Sequence, residues 1–269
     1  MTTQGETPES CAENRGETRE LRSRPEMRQP VESWEPLGLA LADYLAGDRR
    51  GFAQVWMEDG EALPLIPGIF FRTCDELPDA ELAALDLCRG RVLDVGAGAG
   101  CHSLELQARG LDVTALDVSP RSVAVMTERG VVKAVCGGLD HDWSGERFDT
   151  LLLLMNGLGI VGDRAGLAEF LEMARGLLRP GGQILCDSSD LRRVDDVDEL
   201  RRGDVRERLG RHRGETIQRI EYHDLLGAPF GWLYLGADDL ATQARSAGYH
   251  CQVVFEEGEG VYLARLTAS

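Results

Sequence analysis

Residues Val92 to Gly100, VLDVGAGAG, constrain this chain more than any other stretch. An apolar run suited to a strand ends in three alternating glycines, Gly96, Gly98 and Gly100, and a helical pattern opens at Cys101. Without Cβ atoms such a turn lets a ligand approach the main chain, and the first N–H groups of the following helix are left free to meet it. In open α/β sheets, ligands bind outside the carboxyl ends of the strands. The loop therefore asks for a strand–turn–helix unit inside a parallel sheet.

The flanking sequence supplies that sheet. From Pro78 the spacing predicts a helix to Cys88, a strand Arg91–Val95, a helix Cys101–Arg109 and a strand Asp112–Asp117. A helix Pro120–Arg129, a strand Val131–Cys136 and the strand Phe148–Met155 follow. Ala165 to Leu178 is a helix closed by Arg179-Pro180-Gly181-Gly182, and Gln183–Asp187 is the next strand. Apolar strands alternating with helices imply a parallel sheet covered on both faces. Thr216–Tyr222 and Trp232–Leu235 alternate like antiparallel strands, Asp238–Ala247 is helical, and the last segment has two strands joined by a Gly/Glu turn. The expected fold is doubly wound α/β, with a mostly parallel seven-stranded sheet and an antiparallel C-terminal edge.

Three regions frame this core. Residues 1–30 carry almost no large apolar side chains and are expected to form a disordered tail. Residues 31–77 are expected to form an N-terminal helical cap: Leu37, Leu41, Tyr44 and Leu45 have helical spacing, and Phe52, Val55 and Trp56 continue a second short helical stripe. Residues 78–269 form the main domain, with an insertion around 191–236 that opens on an acidic, arginine-rich stretch predicted to be a helix or an exposed loop.

Charge and cysteine usage narrow the function. Against 29 Lys+Arg stand 46 Asp+Glu, a formal charge of -17, which disfavours general binding to nucleic acid or to anionic lipid. The 7 cysteines are scattered without a C-x-x-C pair, so neither a disulfide framework nor a zinc knuckle is indicated, and no metal is expected. No apolar stretch is long enough to span a bilayer and the start has no apolar signal core, which makes cytoplasmic localisation the expectation.

The ligand follows from spacing. A dinucleotide loop would be G-x-G-x-x-G, yet its third glycine position here is Cys101. Instead the pattern is Asp94-x-Gly96-x-Gly98-x-Gly100, and Asp117 ends the next strand, placed to accept hydrogen bonds from both ribose hydroxyls. The set D-x-G-x-G-x-G, LDVSP, FDTLLLL and LLRPGGQIL resembles the class I S-adenosylmethionine-dependent methyltransferases, firmly over Arg91 to Asp187. More narrowly, FFRTCDELPDAELAALDLCRGRVLDVGAGAG and LLLLMNGLGIVG resemble a small bacterial branch of that family.

The resemblance implies a Rossmann-like methyltransferase fold and S-adenosyl-L-methionine as cofactor, with S-adenosyl-L-homocysteine as product. The loop residues Gly96, Ala97, Gly98 and Gly100 would cradle the cofactor, with Asp94 orienting its amino group. Asp117 would hold the ribose and Val118 would pack on the adenine, with Leu139 and Asp140 as candidates near the adenine amino group. Asn156 and Gly157 follow the fourth strand, where methyl group and acceptor meet in this fold, and Asn156 would hold the cofactor amine or touch the acceptor. Arg72 is a candidate to pair with the methionine carboxylate; the alternative is a plain surface arginine. His102 would either contact that carboxylate or lie exposed at the helix end.

Methyl transfer is an in-line displacement, so the enzyme mainly aligns a nucleophile, excludes water and removes a proton where needed. Asp187 at the end of the fifth strand, Asn156 and His223 are the candidates for that chemistry. His223 would line the acceptor pocket with Phe230 and Trp232, or these are core residues of a half-buried strand. MNGLG replaces the Asn/Asp-Pro-Pro-aromatic sequence of amide-nitrogen methyltransferases. The expected function is methyl transfer to the O, N or C atom of a small-molecule acceptor, by a monomer or homodimer without nucleic-acid or membrane partners. A cofactor-binding scaffold without activity and an aminopropyl transferase are the rival readings.

Overall fold

In the structure, a computed structural model that describes residues 30–268, Leu151 to Leu154 are buried on both sides of one sheet. Successive side chains of a strand point to opposite faces. Leu151 and Leu153 join the cluster on one face, with Leu93 and Ile184; Leu152 and Leu154 join the cluster on the other, with Val92 and Leu185. A run of successive apolar residues within a strand is what a sheet covered on both faces requires.

In chain order the N-terminal part runs β1 (Pro30–Val31), α1 (Glu35–Leu45), β2 (Ala53–Met57), β3 (Ala62–Leu65) and α2 (Asp79–Leu87). Next come β4 (Arg91–Val95), α3 (Cys101–Ala108), β5 (Asp112–Asp117), α4 (Pro120–Arg129), β6 (Ala134–Cys136), β7 (Phe148–Leu153) and α5 (Arg164–Leu177). The rest is β8 (Leu178–Ser189), α6 (Val197–Arg208), β9 (Glu215–Tyr222), β10 (Leu225–Gly227), β11 (Phe230–Leu233), α7 (Ala237–Ser246), β12 (Tyr249–Glu256) and β13 (Val261–Ala268). Of the tail expected over residues 1–30, residues 1–29 lie outside the described residues and Pro30 opens β1.

The seven-stranded sheet has the order β12-β13-β8-β7-β4-β5-β6. Strands β6, β5, β4, β7 and β8 pair in parallel, β13 runs antiparallel to β8, and β12 antiparallel to β13. From β4 the chain winds outward through β5 and β6 and then returns to β7 on the other side, so a crevice opens at the carboxyl ends of β4 and its neighbours. Helices α5 and α7 cover one face through Phe170, Leu171 and Leu240, and α2 and α3 cover the other through Leu85 and Leu106.

Local chemistry sets the helix ends. The Ser119 hydroxyl accepts the Ser122 N–H at the start of α4, Pro120 fills the first turn, and the helix stops at Gly130, where φ is 99°. Asp163 caps α5 by accepting the Gly166 N–H at 2.8 Å. Arg179-Pro180-Gly181-Gly182 does not precede the next strand, as the sequence suggests, but interrupts it: Leu178 pairs with Phe148 and the ladder resumes at Gln183 opposite Thr150.

The region 31–77 is not helical throughout. Helix α1 forms as its spacing predicts, but the stripe Phe52, Val55 and Trp56 belongs to β2 and its approach. Over so short a run, helical and extended spacing coincide, and the Glu58-Asp59-Gly60 turn then favours a hairpin. β2 pairs antiparallel with β3 on one side and with β9 of the insertion on the other, Val55 opposite Ile220. A second sheet results, ordered β1-β10-β9-β2-β3, with β11 also on β9. Cap and insertion are therefore one structure. Among the described residues no helix is long and apolar enough to cross a membrane.

An ion network locks the two halves of this second sheet. Arg206 of α6, whose side chain is 1% exposed, donates Nε to Glu58 at 2.6 Å and Nη1 to Glu199 at 2.7 Å. Truncating a buried charge leaves its partners uncompensated at a cost of ~3–5 kcal/mol. Arg206→Ala is therefore expected to lower unfolding stability by that amount in urea titrations, and a loss below about 1 kcal/mol would show that water already screens the network.

Candidate active site

A cavity of about 1020 Å³ lies between the carboxyl ends of the parallel strands and the second sheet. Gly96 and Gly98 after β4, Asp117 and Val118 after β5, Leu139 and Asp140 after β6, and Asn156 after β7 line its floor. Trp34, Leu37, Phe70, Ile220, Phe230 and Trp232 come from cap and insertion.

The glycine loop is held from below by β5. Asp117 accepts the Gly98 N–H on Oδ2 at 2.9 Å and the Ser119 N–H on Oδ1 at 2.9 Å. The Ser122 hydroxyl is a third partner; a carboxylate has about four lone-pair sites, so one stays open. Burial lifts the Asp117 carboxyl to about 6, against the lowering by its Ser119 and Gly98 partners. Gly98 has φ 57°, and a Cβ there would stand 2.9 Å from the Phe70 ring. Only glycine serves at this point, where the cap presses on the loop.

At the end of β7 the backbone turns through Met155 and Asn156, with φ of 67° and 55°. Two hydrogen bonds hold this left-handed pair. The Gly157 N–H donates to Asp187 Oδ1 at 2.9 Å, and the Ser189 hydroxyl donates to Asn156 Oδ1 at 2.7 Å. Burial raises the Asp187 carboxyl to about 6 despite its bonds to Gly157 and Asn156. In the next turn, a Cβ on Gly159 would fall 2.1 Å from Trp232 Nε1, so the indole lies directly on that glycine.

Behind the loop runs a buried chain of charge. Arg72 donates Nε to the Ile69 carbonyl at 2.7 Å and Nη2 to both oxygens of Glu81 at 2.8 and 2.9 Å. Glu81 Oε2 lies 2.6 Å from His102 Nε2. Burial pushes the Glu81 carboxyl up, but the His102 and Arg72 contacts outweigh it and hold it below the usual value. Burial alone would lower the His102 ring; its contacts with Cys101 and Glu81 and the charge of Asp94 lift it well above its usual value instead. Asp94 accepts the Ser103 hydroxyl at 2.6 Å, and its burial raises it against the pull of His102.

Most sequence-derived candidates converge here. Arg72, Gly96, Gly98, Asp117, Val118 and Asn156 line the cavity, as do Leu139, Asp140 and Asp187. Asp94, Ala97, Gly100, His102 and Gly157 stand outside the lining. His102 is neither a cavity contact nor exposed at a helix end: it is buried against Glu81. His223 does not join the site. It sits in the turn between β9 and β10 with φ 51°, its side chain 58% exposed and 3.6 Å from Asp43. Strand β9 sends Thr216, Gln218 and Ile220 to the cavity, so its alternation puts His223 on the opposite face, and the strand ends at Tyr222.

Sequence reasoning missed Glu81, Trp34 and Phe70. A signal for Glu81 exists: it shares the buried stripe of α2 with Ala80, Ala84 and Leu85, a place where an acid needs a partner. Trp34 and Phe70 reach the site only through the folding of the cap, which no local pattern announces.

Comparison with known proteins agrees with this geometry. Residues 92–182 match the family described as methyltransferase domain. The crystal structure of an S-adenosylmethionine-dependent methyltransferase from Bacteroides fragilis, in complex with S-adenosyl-L-homocysteine, is 37% identical, with a TM-score of 0.78 over 90% of this chain and 98% of that one. A ubiquinone biosynthesis O-methyltransferase of Roseobacter denitrificans is 27% identical over 180 residues, which cover 60% of this chain and 66% of that protein. One from Cereibacter sphaeroides is 32% identical over 108 residues, 36% of this chain and 40% of its own. The matched segments thus span from about two fifths to just under two thirds of these curated relatives. With the glycine loop, the strand order and the near full-length match in agreement, the chain belongs to the class I S-adenosylmethionine-dependent methyltransferases.

Proposed function

We propose that this methyltransferase acts on a small planar acceptor, a hydroxylated aromatic ring, held between the strand ends and the second sheet. The observation that carries this reading is an aromatic cluster in the cavity wall. Trp34 lies 4.5 Å from Phe230 and 5.8 Å from Trp232 between ring centroids. Flat rings favour such walls through offset and edge contacts. The O-methyltransferase names of the curated relatives support an oxygen acceptor. A nucleic-acid acceptor finds little support: the lining carries Glu61, Asp140, Asp196 and Glu257 against Arg72 and Arg202. At about 1020 Å³ the cavity lies at the top of the range for small-molecule sites. That space speaks for room beside the cofactor and against a scaffold with a filled acceptor pocket.

Bound S-adenosylmethionine supplies an electrophilic methyl group on a sulfonium. This chain's part is to hold and orient. Asp117, at the end of β5, is our candidate to accept from the ribose hydroxyls, the Ser122 hydroxyl yielding its place to one of them, while Val118 and Leu139 give the adenine an apolar bed and Asp140 an acceptor for its amino group. Asn156, fixed by Ser189, presents its backbone at the end of β7. Asp187 stabilises the Asn156–Gly157 turn and is our candidate to receive the hydroxyl proton, its carboxyl near 6 suiting that task at neutral pH. Residues 31–77 and the insertion around 191–236 serve as one roof that excludes water.

Two tests follow. Only the ionised form of Asp117 accepts from both ribose hydroxyls, so binding favours deprotonation. Affinity for S-adenosylhomocysteine should be full above pH 6 and fall as pH drops through about 6, approaching about tenfold per pH unit. In calorimetry Asp117→Asn should bind about 10- to 100-fold more weakly and lose most of that pH dependence; a dependence that survives intact would belong to Asp187 instead. For the acceptor, labelled S-adenosylmethionine is offered with a panel of catechols, simple phenols and amines. Transfer to phenolic oxygen is expected, and Trp232→Ala should raise the acceptor KM about tenfold with cofactor affinity unchanged. Transfer to amines alone would sink the ring-hydroxyl reading.

A further inference from the structure

The strands of the second sheet turn an apolar face to the cavity, broken at one place. β2 gives Val55 and Met57 to that face, and β11 gives Phe230 and Trp232. β9 runs between them and contributes Ile220, but also Gln218 and Thr216, which are buried at 6% and 1% exposure. In the ladders Gln218 stands between Phe230 and Met57, and Thr216 stands opposite Trp232. Tyr234, just beyond β11, lines the cavity as well. Buried polar side chains are costly unless hydrogen-bonded, and an aliphatic residue would pack at these positions as Ile220 does. We propose that Gln218 and Tyr234 read a second hydroxyl on the acceptor, carried on the side of the ring away from the oxygen that is methylated. The inference rests on the hydroxylated-ring reading above and adds a requirement to it. Asn156 and Asp187 line the cavity from the strand ends and Gln218 from the sheet opposite, so a ring held between them turns one substituent to each.

A chain of hydrogen bonds sets the amide. The Thr216 hydroxyl donates to the Trp232 carbonyl at 2.9 Å. A carbonyl only accepts, so Thr216 commits its one hydrogen there and its Oγ1 must accept from the amide side. Gln218 donates Nε2 to it at 3.0 Å, which leaves the amide a second N–H and its Oε1. The Tyr234 hydroxyl bonds to the same amide, and burial raises it above its usual value, so it is protonated at neutral pH. Whichever way that bond runs, the two side chains together can still give one hydrogen bond and accept another. A hydroxyl matches that pattern, because it does both; an alkyl group does neither. The neighbouring charges do not ask for an ion. Arg202 pairs with Glu61 and Glu199 in the same lining, and Glu199 and Arg206 act on Tyr234 with opposite signs.

Isosteric pairs of phenols test this by calorimetry on protein saturated with S-adenosylhomocysteine: para-hydroxybenzyl alcohol against para-ethylphenol, and the meta isomers of both. Within each pair a hydroxyl replaces a methyl group while the phenol keeps nearly the same acidity. In at least one pair the benzyl alcohol is expected to bind about tenfold more tightly than the ethylphenol. Gln218→Leu and Tyr234→Phe should each bring that ratio to within about twofold by weakening the benzyl alcohol, with S-adenosylhomocysteine affinity kept as the sign of a folded site. A wild-type protein that binds the ethylphenol as well or better in both pairs would overturn the proposal. So would variants that weaken both members of a pair alike, the mark of a structural amide. Failure of the ring-hydroxyl reading itself looks different: none of these phenols binds, and the inference falls with it.

Discussion

Trp56 donates its indole N–H to Glu221 at 2.6 Å, across 165 residues of chain, and the ladder between β2 and β9 surrounds that contact. Everything that roofs the cavity hangs on this long-range pairing. It brings Trp34 and Phe70, from before the parallel sheet begins, into one wall with Phe230 and Trp232, from near its end. Arg206 reinforces the same seam through Glu58 and Glu199. Long-range pairing of this kind costs loop-closure entropy before it is rewarded, and here the buried ion network and the apolar cluster of Leu41, Ala53, Ile220 and Tyr222 provide the return.

Beneath the roof, the sheet concentrates buried acids at one rim. Asp94 and Asp117 lie near the ends of the adjacent strands β4 and β5, Asp187 near the end of β8, and burial raises all three carboxyls. Asp94 is held by Ser103 of α3, Asp117 by Gly98 of the glycine loop and by Ser119, and Asp187 by Gly157 of the turn after β7. These bonds set the backbone of the three loops and leave a rim rich in negative charge. A ligand with a sulfonium and an ammonium is complementary to such a rim, and its arrival lowers the cost of keeping the carboxylates ionised.

What could be read from the sequence was local. The loop Gly96–Gly100, Asp117 at a strand end, the helix from Pro120 to Arg129 and the apolar strand through Leu151–Leu154 are each specified by residues close in the chain, and the structure forms them. The cap sheet was not legible. β2 is five residues long and its spacing fits a helix as well as a strand; only its partner β9 decides. His223 lies near Phe230 and Trp232 in sequence only: the cavity face of β9 carries Thr216, Gln218 and Ile220, and His223 falls in the turn beyond. His102 misled because its partner Glu81 lies in a different helix, 21 residues away. Glu81 itself left a trace, an acid on the buried stripe of α2, which identifies a position in need of a charge partner without saying which.

On the proposed reading the nucleoside lies across β5 and β6 under a roof shared by cap and insertion. A crystal structure of the protein with S-adenosylhomocysteine tests it most directly. Both ribose hydroxyls are expected on the Asp117 carboxylate with its Gly98 bond intact, the adenine against Val118 and Leu139, and the β2–β9 ladder closed above. A ribose held elsewhere, or a ligand that enters only with that ladder parted, would contradict it.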